Sequence, residues 1–159
     1  MTRPARQLRT STTMSAPASL VWRVLVDGSR YPEWNPFILQ VIGDLNEGAT
    51  VRYRFQFLRG LKIWATAEVL RAEPEVELRW SAHFLTRAIF NGEHYFTITP
   101  TSASSVIFHH GEVFSGLLSA VAWPLLRRRG HEVYIRLNRA LKARVEPSRP
   151  ADPTVKASS

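Results

Sequence analysis

The chain has 159 residues and a mass of 18.1 kDa, which accommodates one domain with tails and excludes two catalytic domains. With 45% hydrophobic, 11% aromatic and 21% charged residues, its composition is that of a folded core, not of a disordered, collagen-like or coiled-coil chain. Cysteine is absent, which excludes disulfides, thiolate-bound metals and a thiol nucleophile, while a net charge of +8 raises the question of an acidic partner.

At the N-terminus Arg3, Arg6 and Arg9 are followed by no apolar stretch of signal-peptide length, so a cytoplasmic rather than secreted protein is expected. From Gln7 to Ser15, Leu8, Thr10, Thr12 and Met14 fall on alternate positions and predict a first strand. Ser15-Ala16-Pro17 reads as a helix entry, because the N–H that proline lacks is not needed in a first turn. Leu20, Val21, Val24 and Leu25 follow at helical spacing, and Asp27-Gly28 ends the helix. Proline at positions 32 and 36 prevents Tyr31 to Phe37 from forming one regular helix, leaving a turn or broken helix that carries aromatics.

From Ile38 the apolar period becomes two. Ile38–Gly43, Thr50–Leu58, Lys62–Ala72, Glu75–Phe84, Gly92–Thr99 and Ser105–Phe114 read as six more strands. Their short connections imply an antiparallel meander. Alternation puts Val51, Tyr53, Phe55 and Phe57 on one face and Arg52, Arg54 and Gln56 on the other. It likewise sets Val76, Leu78, Trp80 and Ala82 against Glu77, Arg79 and Ser81. The turn at Arg59-Gly60 can hold two or three residues, and that choice decides which way Trp64 faces.

Gly116 opens a long helix reaching about Glu146, with Pro124 as a kink or break. In its second half Val133 or Tyr134, Leu137, Leu141 and Val145 recur at three- and four-residue steps, a stripe that the apolar sheet face would cover. A curved sheet holding such a helix encloses volume, which is how this α+β arrangement makes a ligand cavity. Residues 1–146 therefore read as one domain, and the proline-rich segment Pro147 to Ser159 as a disordered tail. The apolar run Leu117 to Leu126 is too short to span a bilayer. Together with Arg127-Arg128-Arg129 it offers a peripheral membrane or acidic-partner contact, against the ordinary alternative of a buried helix start beside a solvated face. Elsewhere the basic residues, 18 arginines among 21, are diffuse and do not alternate with aromatics, so nucleic-acid binding is not expected.

The last hairpin carries the polar candidates. Pairing it around Pro100 to Ser104, with position numbers summing to 204, sets Phe96 opposite Phe108 and His94 opposite His110, with Glu112 on the same side and His109 facing outward. Cross-strand partners lie roughly 5 Å apart. Two imidazoles and a carboxylate can form an acid–base pair or proton relay, or simply satisfy one another and nearby backbone. They would also suit a metal triad, but nothing in the spacing requires one, so no metal and no cofactor are expected. Phe55, Phe57, Trp80, Phe90, Phe96 and Phe108 are aromatic lining candidates. There is no P-loop, dinucleotide fingerprint, nucleophile elbow or HExxH zinc motif.

These residues resemble a family. Ala16-Pro17, Val21-Trp22 and Val24-Leu25 precede Asp27; Y-P-x-W-N-P-F spans Tyr31 to Phe37; G-D-L-x-x-G spans Gly43 to Gly48. E-L-R-W at Glu77 to Trp80, H-x-F at His94 to Phe96 and H-G-E-x-F-S-G at His110 to Gly116 complete the likeness. Together, over about residues 5 to 146, they are similar to the START-like (SRPBCC) superfamily, and within it to bacterial polyketide cyclase/dehydrase-like proteins. The resemblance implies a helix-grip fold: a curved antiparallel sheet of about seven strands wrapped on a long C-terminal helix, with two short helices after the first strand. It also implies a hydrophobic small-molecule ligand, lipid-like or aromatic, and either a carrier or a cofactor-independent cyclase or dehydratase, in which His110 or His94 of the hairpin would be the base and Glu112 would orient it. It places the Tyr31-to-Phe37 turn near the cavity, where Trp34 and Phe37 would wall the ligand site and Asn35 offer a hydrogen bond, against the alternative that they plug the end of the core. It names neither the ligand nor an oligomeric state.

Overall fold

The computed structural model describes residues 6–58 and 60–146. Strand β1 (Arg6–Met14) is followed by helix α1 (Ala18–Val26), a single 3-10 turn (Gly28–Arg30) and the one-turn helix α2 (Tyr31–Trp34). Strands β2 (Ile38–Ile42), β3 (Thr50–Leu58), β4 (Leu61–Glu73), β5 (Glu77–Phe84), β6 (Phe90–Ser102) and β7 (Ser105–Ser115) lead to helix α3 (Leu117–Val145). The seven strands form one antiparallel sheet in the order β1-β7-β6-β5-β4-β3-β2, so the first strand closes the meander on its last member. Irregular register in the β2–β3, β3–β4 and β4–β5 pairs bends the sheet as bulges do.

Local chemistry sets the entry to the sheet. Pro17 itself takes the N-cap of α1, and Val21 and Leu25 turn inward. Asn35 ends α2 by accepting backbone N–H bonds from Phe37 and Ile38 at 3.0 and 2.8 Å, an Asx turn that directs the chain into β2. The predicted stripe on the last helix is present: Val133, Tyr134, Leu137, Leu141 and Val145 are all buried against the sheet. Each such aliphatic burial stabilises the fold by about 1.5–3 kcal/mol. Helix α3 runs unbroken through Pro124.

Four expectations change. The β6–β7 register sums to 206, setting His94 opposite Glu112 and Phe96 opposite His110. The turn is tighter than Pro100 to Ser104: Ser102 pairs with Ser105, and a register irregularity at Pro100 takes up the difference. Val76 lies in the turn before β5 and is exposed. On the outer face Glu77 and Ser81 are buried, Glu77 by ion pairs to Arg71 and Arg79 and Ser81 by a 2.8 Å bond to Asn91. Trp64 is directly opposite Arg54 and so stands on the outer face, its ring covered by the guanidiniums of Arg52 and Arg54. The expected tail from Pro147 lies outside the described residues.

Candidate functional site

Three neighbouring rows of side chains across the inner sheet face build the site. The first row, Ala67, Ala82 and Gly92, is directly paired strand to strand and carries almost no side-chain volume. Between that row and the N-terminal half of α3 the fold encloses about 890 Å³, within the range of small-molecule pockets. Phe37, Phe55, Phe57 and Phe90 wall it from the sheet side, and Leu118 and Leu126 from the helix. The second row, Trp80, His94 and Glu112, is paired in the same way and brings His94 and Glu112 to the cavity surface. The third row, Leu78, Phe96 and His110, is fully buried core.

A continuous polar chain threads the second and third rows, and its bonding assigns the protons. Thr10 Oγ1 donates to the His110 carbonyl at 3.1 Å and therefore accepts from Asn138 Nδ2 at 2.9 Å. Asn138 Oδ1 is then the acceptor facing His110 Nδ1 at 2.9 Å, so His110 carries its proton on Nδ1. The bare His110 Nε2 lies 2.9 Å from His94 Nε2, which must be the donor. His94 Nδ1 is then the nitrogen without a proton in the neutral ring, 3.6 Å from Glu112 Oε2 and beside the cavity. The Tyr134 hydroxyl donates to the same carboxylate oxygen.

Burial and the neighbouring His94 hold the His110 imidazolium well below its usual range, so His110 stays neutral as a fixed acceptor. Burial likewise pushes the Tyr134 and Tyr53 hydroxyls up, with the charge of Glu112 adding to both, so each remains a donor. Stacking fixes the His94 ring further: Trp80 lies parallel to it at 5.0 Å. Gly92 makes room for the carboxylate, since a Cβ there would stand 2.3 Å from Glu112 Oε1. The arrangement is an imidazole at the wall of a largely apolar cavity, braced on one side by a hydrogen-bonded chain and on the other by a carboxylate. Among the described residues no group of His, Asp and Glu has the geometry of a metal site.

Of the residues singled out in the sequence, His94, Glu112, Phe37, Phe55, Phe57 and Phe90 meet at the cavity. His110 is fully buried behind His94 and does not line it. Trp80 backs His94, while Phe96 and Phe108 stack on each other in the core at 5.6 Å. Asn35 is occupied by the β2 turn, and Trp34 packs edge-on against Tyr31 at 5.3 Å, away from the cavity. The sequence reading missed Thr10, Tyr53, Tyr134 and Asn138 as site residues. Asn138, four residues after Tyr134 on the buried side of an amphipathic helix, was the available signal.

Comparison with known proteins places this geometry among relatives. The model of a family described as polyketide cyclase / dehydrase and lipid transport matches residues 5–146. A START superfamily protein from Mycobacterium smegmatis superposes with a TM-score of 0.72 at 19% identity, covering 87% of this chain and 96% of that one. The Zhui aromatase/cyclase from Streptomyces sp. R1128 superposes at 0.69 with 16% identity, covering 89% and 93%. The di-domain ARO/CYC StfQ of the steffimycin biosynthetic pathway superposes at 0.71 with 12% identity, covering 89% of this chain and 51% of that one. At these identities the likeness is one of fold. No curated protein matches the sequence.

Proposed function

The chain belongs to the polyketide cyclase/dehydrase and lipid transport family, and from that membership we propose that residues 1–146 bind and carry a hydrophobic small molecule between the sheet and α3. The observation that carries this reading is the cavity of about 890 Å³ with six phenylalanines in its wall and the His94–Glu112 pair on its floor. Apolar burial at about 25 cal/mol per Å² supplies the affinity. His94 and Glu112 orient a single oxygen of the ligand. Flat aromatic or polyketide-like molecules suit a wall of rings better than flexible chains do, because they lose less conformational freedom on binding.

Native mass spectrometry of the chain mixed with a polycyclic aromatic ketone, a sterol and a fatty acid tests the proposal. One retained ligand per chain for at least one class, with the aromatic ketone foremost, is the expected result. Retention of none of the three counts against the reading.

The free position at His94 Nδ1 favours a second reading, a cofactor-independent cyclase or dehydratase. His94 takes a proton from the carbon next to a ligand carbonyl, and the imidazolium, held by Glu112, returns it to the departing hydroxyl, which leaves as water. His110, Asn138 and Thr10 are positioning residues in this scheme. Several relatives of the same fold are named as aromatase/cyclases. Turnover of a β-hydroxyketone that disappears in His94→Gln, with ligand retention unchanged, separates enzyme from carrier.

A further inference from the structure

We propose that the rim of the cavity mouth is a docking surface for an anionic lipid bilayer, through which the cavity exchanges its contents with the membrane. This goes beyond what the cavity holds, because the surface is defined by residues outside its floor. The first half of α3 leaves an apolar stripe uncovered: Leu117 is 70% exposed, Val121 79% and Leu125 48%. These positions are four residues apart and share one helix face. The β5–β6 loop stands beside them, tied to the helix start by backbone bonds from Leu117 to Ala88 and from Leu118 to Ile89, each 2.9 Å. At its start stand Phe84, the last residue of β5, 61% exposed, and Leu85, 70% exposed.

Leu85 adds a second observation. Its φ of 61° is a left-handed conformation that a leucine adopts at a cost and that Gly or Asn would adopt readily. A strained residue that also holds a large apolar side chain in water gains nothing in the isolated protein, whereas both costs are offset if the side chain enters an apolar phase.

Charge selects the partner. One turn beyond Leu125 the same helix face passes into Arg128 and Arg129, with Arg127 adjacent, all three exposed and in no ion pair among the described residues. At about 1.5 Å per residue the arginines lie roughly one helical turn from the last apolar side chain, the separation between acyl chains and lipid phosphates. With the start of the helix in the lipid, the arginines further along it meet the anionic headgroups. The exposed side chains of Leu117, Leu118, Val121, Leu125, Phe84 and Leu85 form an apolar patch, bordered by the Arg87–Glu68 ion pair, that fits lipid better than a polar protein face. Because Phe84 and Leu118 are both exposed and part of the cavity wall, docking would bring the mouth against the lipid. No helix among the described residues is long and apolar enough to cross a membrane, so the contact is peripheral.

The absence of cysteine allows a direct test. Val121→Cys carrying an environment-sensitive fluorophore is mixed with vesicles of phosphatidylcholine alone or with about 30 mol% phosphatidylglycerol. A parallel label at Thr101→Cys, at the far end of β6, serves as control. The expected result is a blue shift at position 121 but not at 101, with the anionic vesicles only, reversed by about 0.5 M salt. In co-sedimentation the Arg127→Gln/Arg128→Gln/Arg129→Gln variant should bind about a hundredfold more weakly, and Leu117→Ser/Val121→Ser should weaken binding without lowering the unfolding temperature. No binding to anionic vesicles at low salt overturns the proposal. So does equal binding by the triple variant, or a shift at 101 rather than 121. Binding to an acidic polypeptide without binding to vesicles also overturns it, assigning the arginines to a protein partner. None of these outcomes depends on whether a cargo is found, since the vesicles contain none.

Discussion

His94 and His110 meet through their Nε2 atoms at 2.9 Å, and only one of the two can supply the proton between them. Because Asn138 and Thr10 commit His110 to a proton on Nδ1, the shared proton belongs to His94. The bare nitrogen of His94 is therefore Nδ1, the one beside Glu112.

Long-range proton–nitrogen NMR of the imidazoles reads this directly. His110 should show the Nδ1–H tautomer and His94 the Nε2–H tautomer. Asn138→Leu should release His110 into a mixture of tautomers. A neutral His94 with its proton on Nδ1 would contradict the assignment.

Stability should depend on pH through His110. Its folded-state pKa lies well below the ordinary value of 6.5, because burial and His94 oppose the charge. Above 6.5 both folded and unfolded forms are neutral, and the group adds no pH dependence. As pH falls below 6.5 the unfolded chain gains a proton that the folded chain does not, so stability declines, by up to about 1.4 kcal/mol per pH unit. Urea unfolding of wild type against His110→Gln should show the difference narrowing as pH falls from neutrality, with a flat region above about pH 7.

Gly92→Ala should disturb Glu112 rather than the strand. The added Cβ would meet Glu112 Oε1 at 2.3 Å, so the carboxylate must swing away from Tyr134 and His94. A loss of about 1–3 kcal/mol is expected. In a Glu112→Ala background the same substitution should cost much less, and the double-mutant cycle measures the difference. Equal costs in both backgrounds would place the clash elsewhere.

The sheet and its helix were legible because their signals are local. Alternation from Ile38 onward and the Val133-to-Val145 stripe each follow from one element's own side chains. The polar site was only half legible, because it depends on register. A shift of two keeps His94, His110 and Glu112 on the same face, so alternation cannot detect it. Matching Phe96 to Phe108 suggested direct opposition, but the two rings stack as diagonal neighbours at 5.6 Å. Pro100, read as the start of the turn, is instead tolerated inside β6 at an irregular position. The cavity was least legible of all. It exists because Ala67, Ala82 and Gly92 align through two strand pairings, and no single strand announces that alignment.

That row of small residues gives the most direct test of ligand binding in the cavity. Ala82→Leu extends an apolar side chain into the empty volume from the middle of the row, leaving the polar chain in place. Titration of the best-retained ligand into wild type and Ala82→Leu, followed by calorimetry, should show one site per wild-type chain. The variant should bind at least about tenfold more weakly, a loss of about 1.4 kcal/mol, with an unfolding temperature equal to or above that of wild type. Unchanged affinity in a stably folded Ala82→Leu variant would contradict a ligand seated between the sheet and α3.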